Sequence, residues 1–132
     1  MIRPIITDID TLRRPSALVT DDLLARTVTE DLLDTAESLG SKCAGLAAIQ
    51  IGYPLQICVV NMGDSFRIFV NPLIVARIGG VKAEKEGCLS IPDKTVLKRR
   101  HKEVKLSTGE KFKGYTARVI QHEVDHFSGQ LI

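Results

Sequence analysis

The segment RVIQHEVDHFSGQLI carries His122, Glu123 and His126 in the order HEVDH. On a helix, positions i and i+4 share a face, so both imidazoles can reach one cation. Glu123 lies about 100° around the helix from His122, beside such a cation without having to bind it. A carboxylate there can act as general base on an activated water, and the pattern points to metal-assisted hydrolysis. A purely structural helix is disfavoured, because two neutral imidazoles and a carboxylate packed together without a cation are costly to bury.

A catalytic ion of this kind takes three protein ligands and keeps one position open. One metalloprotease class extends the motif to HExxHxxGxxH. Here HEVDHFSGQLI matches through Gly129 and then places Ile132 where the last histidine belongs, so the third ligand is expected upstream. Cys88, in EGCLS, is the foremost candidate. A thiolate binds zinc or iron strongly, and the adjacent Gly87 lets the backbone approach a site closely. Cys58, inside ICVVN, reads as a small core residue. Cys43 stays open as a ligand, and so do the carboxylates of Glu84 and Glu86.

The elements that must hold these groups are visible as periodicities. Thr20-Asp21-Asp22 reads as a helix start, with a capping side chain and acids in the first turn. Leu24, Val28, Leu32, Ala36 and Leu39 follow at helical spacing, and Gly40 closes the run. LQICVVNM and SFRIFVNP flank Gly63-Asp64, LIVARI and VKAEKEGCLSI flank Gly79-Gly80, and EVKLST and EKFKG flank Gly109, which predicts three hairpins. From Tyr115 the pattern turns helical, with Tyr115, Val119, His122 and His126 on one stripe and Gly129 as a stop. Residues 1–19, with Pro4 and Pro15, read as irregular. The expected fold is α+β: antiparallel β-sheets and hairpins around a central helix carrying HEVDH, with a second helix before them. Residues 1–132 are expected to form one catalytic domain.

Composition limits the function classes. Hydrophobic residues at 44% and charged residues at 26% are the balance of a soluble globule. Trp is absent and aromatics are 5%, so the core must be aliphatic. A net charge of +2 gives no reason to expect nucleic acid or a membrane as partner. The basic cluster Lys98-Arg99-Arg100-His101-Lys102 reads as a solvated face. No apolar run reaches the roughly 18 residues of a membrane span, and the start of the chain lacks the features of a secretory signal. Three cysteines, an odd number without disulfide spacing, suit a reducing compartment.

GLAAIQ, EGCLS and QHEVDH, in that order, resemble the signature motifs GxGxAAxQ, EGCxS and HExDH of the peptide deformylases. The resemblance covers about residues 40–131. It implies a hydrolase that removes the formyl group from the N-terminal formyl-methionine of nascent polypeptides and releases formate. It implies one divalent metal, natively iron(II) with zinc, nickel or cobalt as substitutes, held by Cys88, His122 and His126. Glu123 is implied as base and then acid. Gln50, through its amide, and Leu89, through its backbone N–H, are implied to stabilise the oxyanion and so to touch substrate, while Gly45 lets an extended peptide run beside it. The implied partner is the formyl-methionyl nascent peptide, with proximity to the ribosome, and the implied compartment is the cytoplasm of a bacterium, or of the host cell if the protein is virus-encoded. A monomer is expected, with no membrane or direct nucleic-acid partner. Asp125 is expected to pair with Arg99 or Arg100.

The chain departs from the family pattern in four places. Cys43 stands where glycine is usual and Ile49 where proline is common. The hairpin between Val104 and Tyr115 is short. The chain stops at Ile132 without the C-terminal helix by which many bacterial members dock on the ribosome, so such docking is not expected.

Overall fold

The computed structural model describes residues 1–132. A short helix, α1 (Ile9–Leu12), capped by Asp8, lies within the N-terminal stretch expected to be irregular. Four residues are too few to show a period, but Leu12 is fully buried in the core, and that tertiary contact supports the turn. The longer α2 (Asp22–Leu39) starts at Asp21, whose carboxylate accepts the N–H groups of Leu23 and Leu24 at 2.9 and 3.1 Å. Gly40 ends it at φ +58°, a conformation that favours glycine.

Two antiparallel sheets follow. β1 (Gly45–Ala47), β2 (Ile57–Asn61) and β3 (Phe66–Val70) form one, in the order β1-β2-β3. β4 (Ile74–Cys88), β5 (Ile91–Leu106) and β6 (Lys111–Lys113) form the other, in the order β4-β5-β6. The helix α3 (Gly114–Phe127) packs on β1, β2, β5 and β6, and it carries HEVDH. This is the α+β arrangement with a central motif helix.

β2 is apolar from Ile57 to Val60 because both of its faces are covered. Ile57 and Val59 pack with Val28, Leu32 and Ala36 of α2. Cys58 and Val60, on the opposite face, pack with Ala117, Val119 and Ile120 of α3. Alternate residues of a strand face opposite sides, so a strand with helices on both sides needs apolar residues throughout. Each fully buried aliphatic side chain here contributes about 1.5–3 kcal/mol. Cys58 is a core residue, as expected.

The hairpins at Gly63-Asp64 and Gly109 form as expected, joining β2 to β3 and β5 to β6. The expected hairpin at Gly79-Gly80 does not form. Both glycines have positive φ, 81° and 74°, but the pairing steps from Ile78↔Glu103 to Val81↔His101 and the chain continues in β4. The pair is a bulge, which bends the strand without reversing it. The reversal comes later, at Leu89-Ser90, where Cys88 pairs with Ile91. Cys88 therefore sits at the last rung of a long two-stranded ribbon. The basic cluster is also not all solvated: Arg100 is only 6% exposed.

Candidate metal centre

α3 places His122 and His126 on one face, their ring centroids 5.2 Å apart. The end of the β4–β5 ribbon brings Cys88 to the same spot, with its Sγ 3.7 Å from His126 Nε2. One donor atom from each of Cys88, His122 and His126 lies within 4.8 Å of the others. A tetrahedral ion bonded at about 2.3 Å to sulfur and 2.0–2.1 Å to nitrogen holds such atoms about 3.6 Å apart, so the spacing fits one cation. A thiolate with two imidazoles suits zinc, iron, cobalt or nickel.

The other open candidates point elsewhere. Cys43 is fully buried, and burial, aided by the charge of Glu123, pushes its thiol up to about 12. Glu84 pairs with Lys82 and Arg118. Glu86 supports the site instead of completing it. Its Oε1 accepts from His122 Nδ1 at 2.6 Å and from Arg100 Nη2 at 2.7 Å. Its Oε2 accepts from Arg118 Nη1 at 2.9 Å and from Arg100 Nε at 3.3 Å. With Nδ1 committed to Glu86, Nε2 of His122 is the ring nitrogen left free for a cation, the arrangement by which a carboxylate fixes a metal-binding tautomer. Arg100 is in turn held by Asp125, which settles the expected partner as Arg100.

Glu123 stands beside the three ligand atoms, its Oε1 3.9 Å from His126 Nε2. That oxygen is buried and has no hydrogen-bond partner in the protein. Buried polar atoms are nearly always paired, so an orphan aimed at a ligand cluster fits a reacting water. Burial pushes the Glu123 carboxyl up to about 7, against the pull of the His122 charge. The two imidazoles diverge. Burial alone would lower His122, but Glu123, Cys88 and Glu86 outweigh it and raise it to about 10. Burial and the charges of His122 and Arg100 lower His126 to about 3.

Gln50 is 1% exposed and firmly oriented. Its Oε1 accepts the N–H of Ala47 at 2.9 Å, which turns Nε2 toward Ser90 Oγ at 3.0 Å and Cys88 Sγ at 3.6 Å. Leu89 follows Cys88 in the tight turn. Both Gln50 and Leu89 line a cleft of about 480 Å³ that also reaches Gly45, Cys88, His122 and Glu123. Gly45 is required by space. A Cβ there would lie 2.7 Å from Glu123 Oε2 and 2.7 Å from Val119 Cγ1, so β1 packs on α3 only without a side chain. Of the residues expected at the site, all but His126 line this cleft, and His126 is buried behind it, against Cys88. Arg118, Arg100 and Ser90 were not expected there. Arg118 is anchored by carbonyls of both ribbon strands, Lys82 at 2.6 Å and Lys98 at 3.1 Å, a long-range contact without a sequence signal.

Residues 2–132 match the family described as polypeptide deformylase. The chain belongs to that family.

The similarity extends over whole chains. The chain is 34% identical over 143 residues to the peptide deformylase of Clostridium beijerinckii, with 100% of both covered. It superposes on the crystal structure of peptide deformylase from Thermotoga maritima with a TM-score of 0.83 and 32% identity, covering 99% of this chain and 95% of that one. A probable peptide deformylase from synechococcus phage S-SSM7 gives a TM-score of 0.80 at 30% identity, covering 99% and 95%. The chain is a hydrolase that removes the N-terminal formyl group from nascent polypeptides, and its family works with one divalent metal. No helix is long and apolar enough to cross a membrane.

Proposed function

We propose that Cys88, His122 and His126 hold one divalent ion, natively iron(II) and replaceable by nickel, cobalt or zinc, and that Glu123, Gln50 and Leu89 carry out deformylation of formyl-methionyl peptides around it. The observation that carries this reading is the convergence of three ligand atoms within 4.8 Å beside a buried, unpaired carboxylate oxygen. When bound, the ion supplies Lewis acidity, which lowers the pKa of a water and polarises the formyl group.

The chain's own groups do the rest. Glu123 takes a proton from the attacking water as oxygen adds to the formyl carbon. Its carboxyl, pushed up to about 7, can take and return a proton near neutrality. Gln50 Nε2 and the Leu89 N–H donate to the oxyanion that develops on the formyl oxygen. Gln50 does so without a charge that would compete for the cation, and its anchoring by Ala47 supports a fixed donor. Protonated Glu123 then gives its proton to the departing amine, the C–N bond breaks, and formate and a free N-terminal methionine result. The open edge of β1, with no side chain at Gly45, leaves backbone for an extended peptide to pair with.

The span 1–132 acts as one catalytic domain, since β2 belongs to both hydrophobic clusters and ties the two halves together. The protein works as a monomer, because one chain supplies every group named above. It works in the cytoplasm, close to the ribosome that delivers its substrate; three free cysteines suit that reducing compartment.

Formate release from formyl-methionyl peptides, with iron, nickel or cobalt loaded, tests the reading. Folded protein that releases no formate with any of these ions overturns it. Glu123→Ala should keep its metal and lose turnover by about 10²–10⁴-fold; an unchanged rate removes Glu123 from the chemistry.

A further inference from the structure

The cleft above the metal centre carries more positive charge at its mouth than the chemistry uses. Three exposed lysines line it, from three separate elements: Lys42 in the turn after α2, Lys85 on β4 and Lys94 on β5. None pairs with a carboxylate side chain, although seven other cationic groups, the N-terminus, Arg3, Arg67, Lys82, Arg100, Arg118 and His122, do. Lys94 donates to the main-chain oxygen of Ile132, the last residue of the sequence, at 3.1 Å, and Lys42 and Lys85 have no hydrogen-bonded or ion-pair partner.

The acids nearby do not balance them. Glu86 is taken by Arg100 and Arg118, and Arg118 is in turn neutralised by Glu84 and Glu86. Glu123 lies buried at the floor. Asp93 is the one exposed carboxylate side chain in the lining, so ammonium groups outnumber exposed carboxylate side chains at the mouth. Like charges gathered around a concave, low-dielectric site focus their field into it and concentrate ligands of opposite sign.

An extended peptide held by its formyl group at Glu123 advances about 3.3–3.4 Å per residue. Its second to fourth residues then lie within about 10 Å of the centre, no farther than the screening length at 0.1 M salt. We propose that Lys42, Lys85 and Lys94 make this cleft select formylated nascent peptides with acidic side chains just after the formyl-methionine. The selection rests on the deformylase reading and adds a substrate class to it. A substrate carboxylate meeting these ammonium groups gains affinity and association rate together, while a basic residue there is repelled.

The test compares kcat/KM for formate release from C-terminally amidated formyl-methionyl peptides with Glu, Ala or Lys at the second and third positions. Amidation removes the peptide's own terminal carboxylate as a confounding charge. At low salt the Glu peptides should exceed the Ala peptides about 3–10-fold, as expected for one or two exposed charge pairs, and Lys peptides should fall below Ala. Raising salt to 0.5 M should collapse the ratio toward one, a readout that needs no variant. Lys42→Ala/Lys85→Ala/Lys94→Ala should bring the Glu/Ala ratio within about 2-fold at low salt. Lys111→Ala, on β6 and outside the cleft lining, should leave the ratio as it was. Turnover of the Ala peptides without an acid preference overturns the selection alone, as does a preference the triple variant retains. No turnover of any peptide with any ion overturns the deformylase reading and the selection together.

Discussion

Glu86→Gln separates the two roles assigned to one buried carboxylate. Glu86 is 9% exposed and accepts from His122, Arg100 and Arg118, while the two guanidinium side chains are 6% and 7% exposed. Glutamine is nearly isosteric but turns one acceptor oxygen into an NH₂ donor. If the amide nitrogen takes the Oε2 place, it meets Arg118 Nη1 and Arg100 Nε, donor against donor. If it takes the Oε1 place, it meets Arg100 Nη2, donor against donor, and His122 Nδ1, and pushes the imidazole toward the tautomer with its proton on Nε2, the nitrogen otherwise left for a cation. Leaving a buried charge uncompensated costs about 3–5 kcal/mol. Arg100 keeps Asp125, and Arg118 keeps Glu84 and two carbonyls, so the low end, about 3 kcal/mol, applies. For a chain of this size that is a fall of about 10–15 °C in Tm. Loss of the imidazole's orienting partner should also weaken metal binding about 10–100-fold. Thermal melts of metal-stripped protein read the first effect, and chelator competition with cobalt or nickel reads the second. A Tm within about 2 °C of wild type would refute the charge reasoning. Unchanged metal affinity in a folded variant would refute the orienting role even if the Tm falls.

Three further outcomes follow from the same geometry. Gly45→Ala puts a Cβ 2.7 Å from Glu123 Oε2, so it should cost about 1–3 kcal/mol in chemical denaturation and displace the base; formate release should drop about 10²-fold with metal content retained, and wild-type kinetics would show that β1 can shift freely. Gln50→Ala removes one oxyanion donor and should lower kcat about 10²–10³-fold with little change in KM, whereas a change confined to KM would assign Gln50 to ground-state binding. The Glu123 carboxyl is raised from 4.5 to about 7 in the folded protein, so its contribution to stability is present below 4.5 and is lost as pH rises through about 7. Metal-stripped Glu123→Gln should therefore match wild type near pH 4.5 and exceed it by about 1–3 kcal/mol at pH 8, measured by denaturant unfolding; equal stability at both pH values would contradict a buried, destabilised carboxylate.

Local rules made much of the molecule legible. The start of α2 at Asp21, the turns at Gly63-Asp64 and Gly109, and the shared face of His122 and His126 each depend on a few neighbouring residues. Gly79-Gly80 shows where such rules stop. Paired glycines with positive φ serve a turn and a bulge equally well, and only the facing strand β5 decides between them. Arg100 shows the same limit: within a run of five basic residues nothing marks the one that turns inward to Glu86 and Asp125.

The sequence by itself determined the chemistry: which groups can bind a cation, which can move a proton, and that the third ligand had to be sought away from the helix. It left Cys43, Cys88, Glu84 and Glu86 as rivals on the residues alone. The tertiary structure places them differently: it brings the end of the β4–β5 ribbon against α3, with Cys88 facing the imidazoles, Glu86 behind His122 and Cys43 sealed in the core, and the proposal of Cys88 as ligand rests on that placement. The physical reason is range. Helical spacing and turn conformation are set over a few residues, whereas the choice of ligand depends on which faces meet after folding, and that is fixed by the packing of the whole chain.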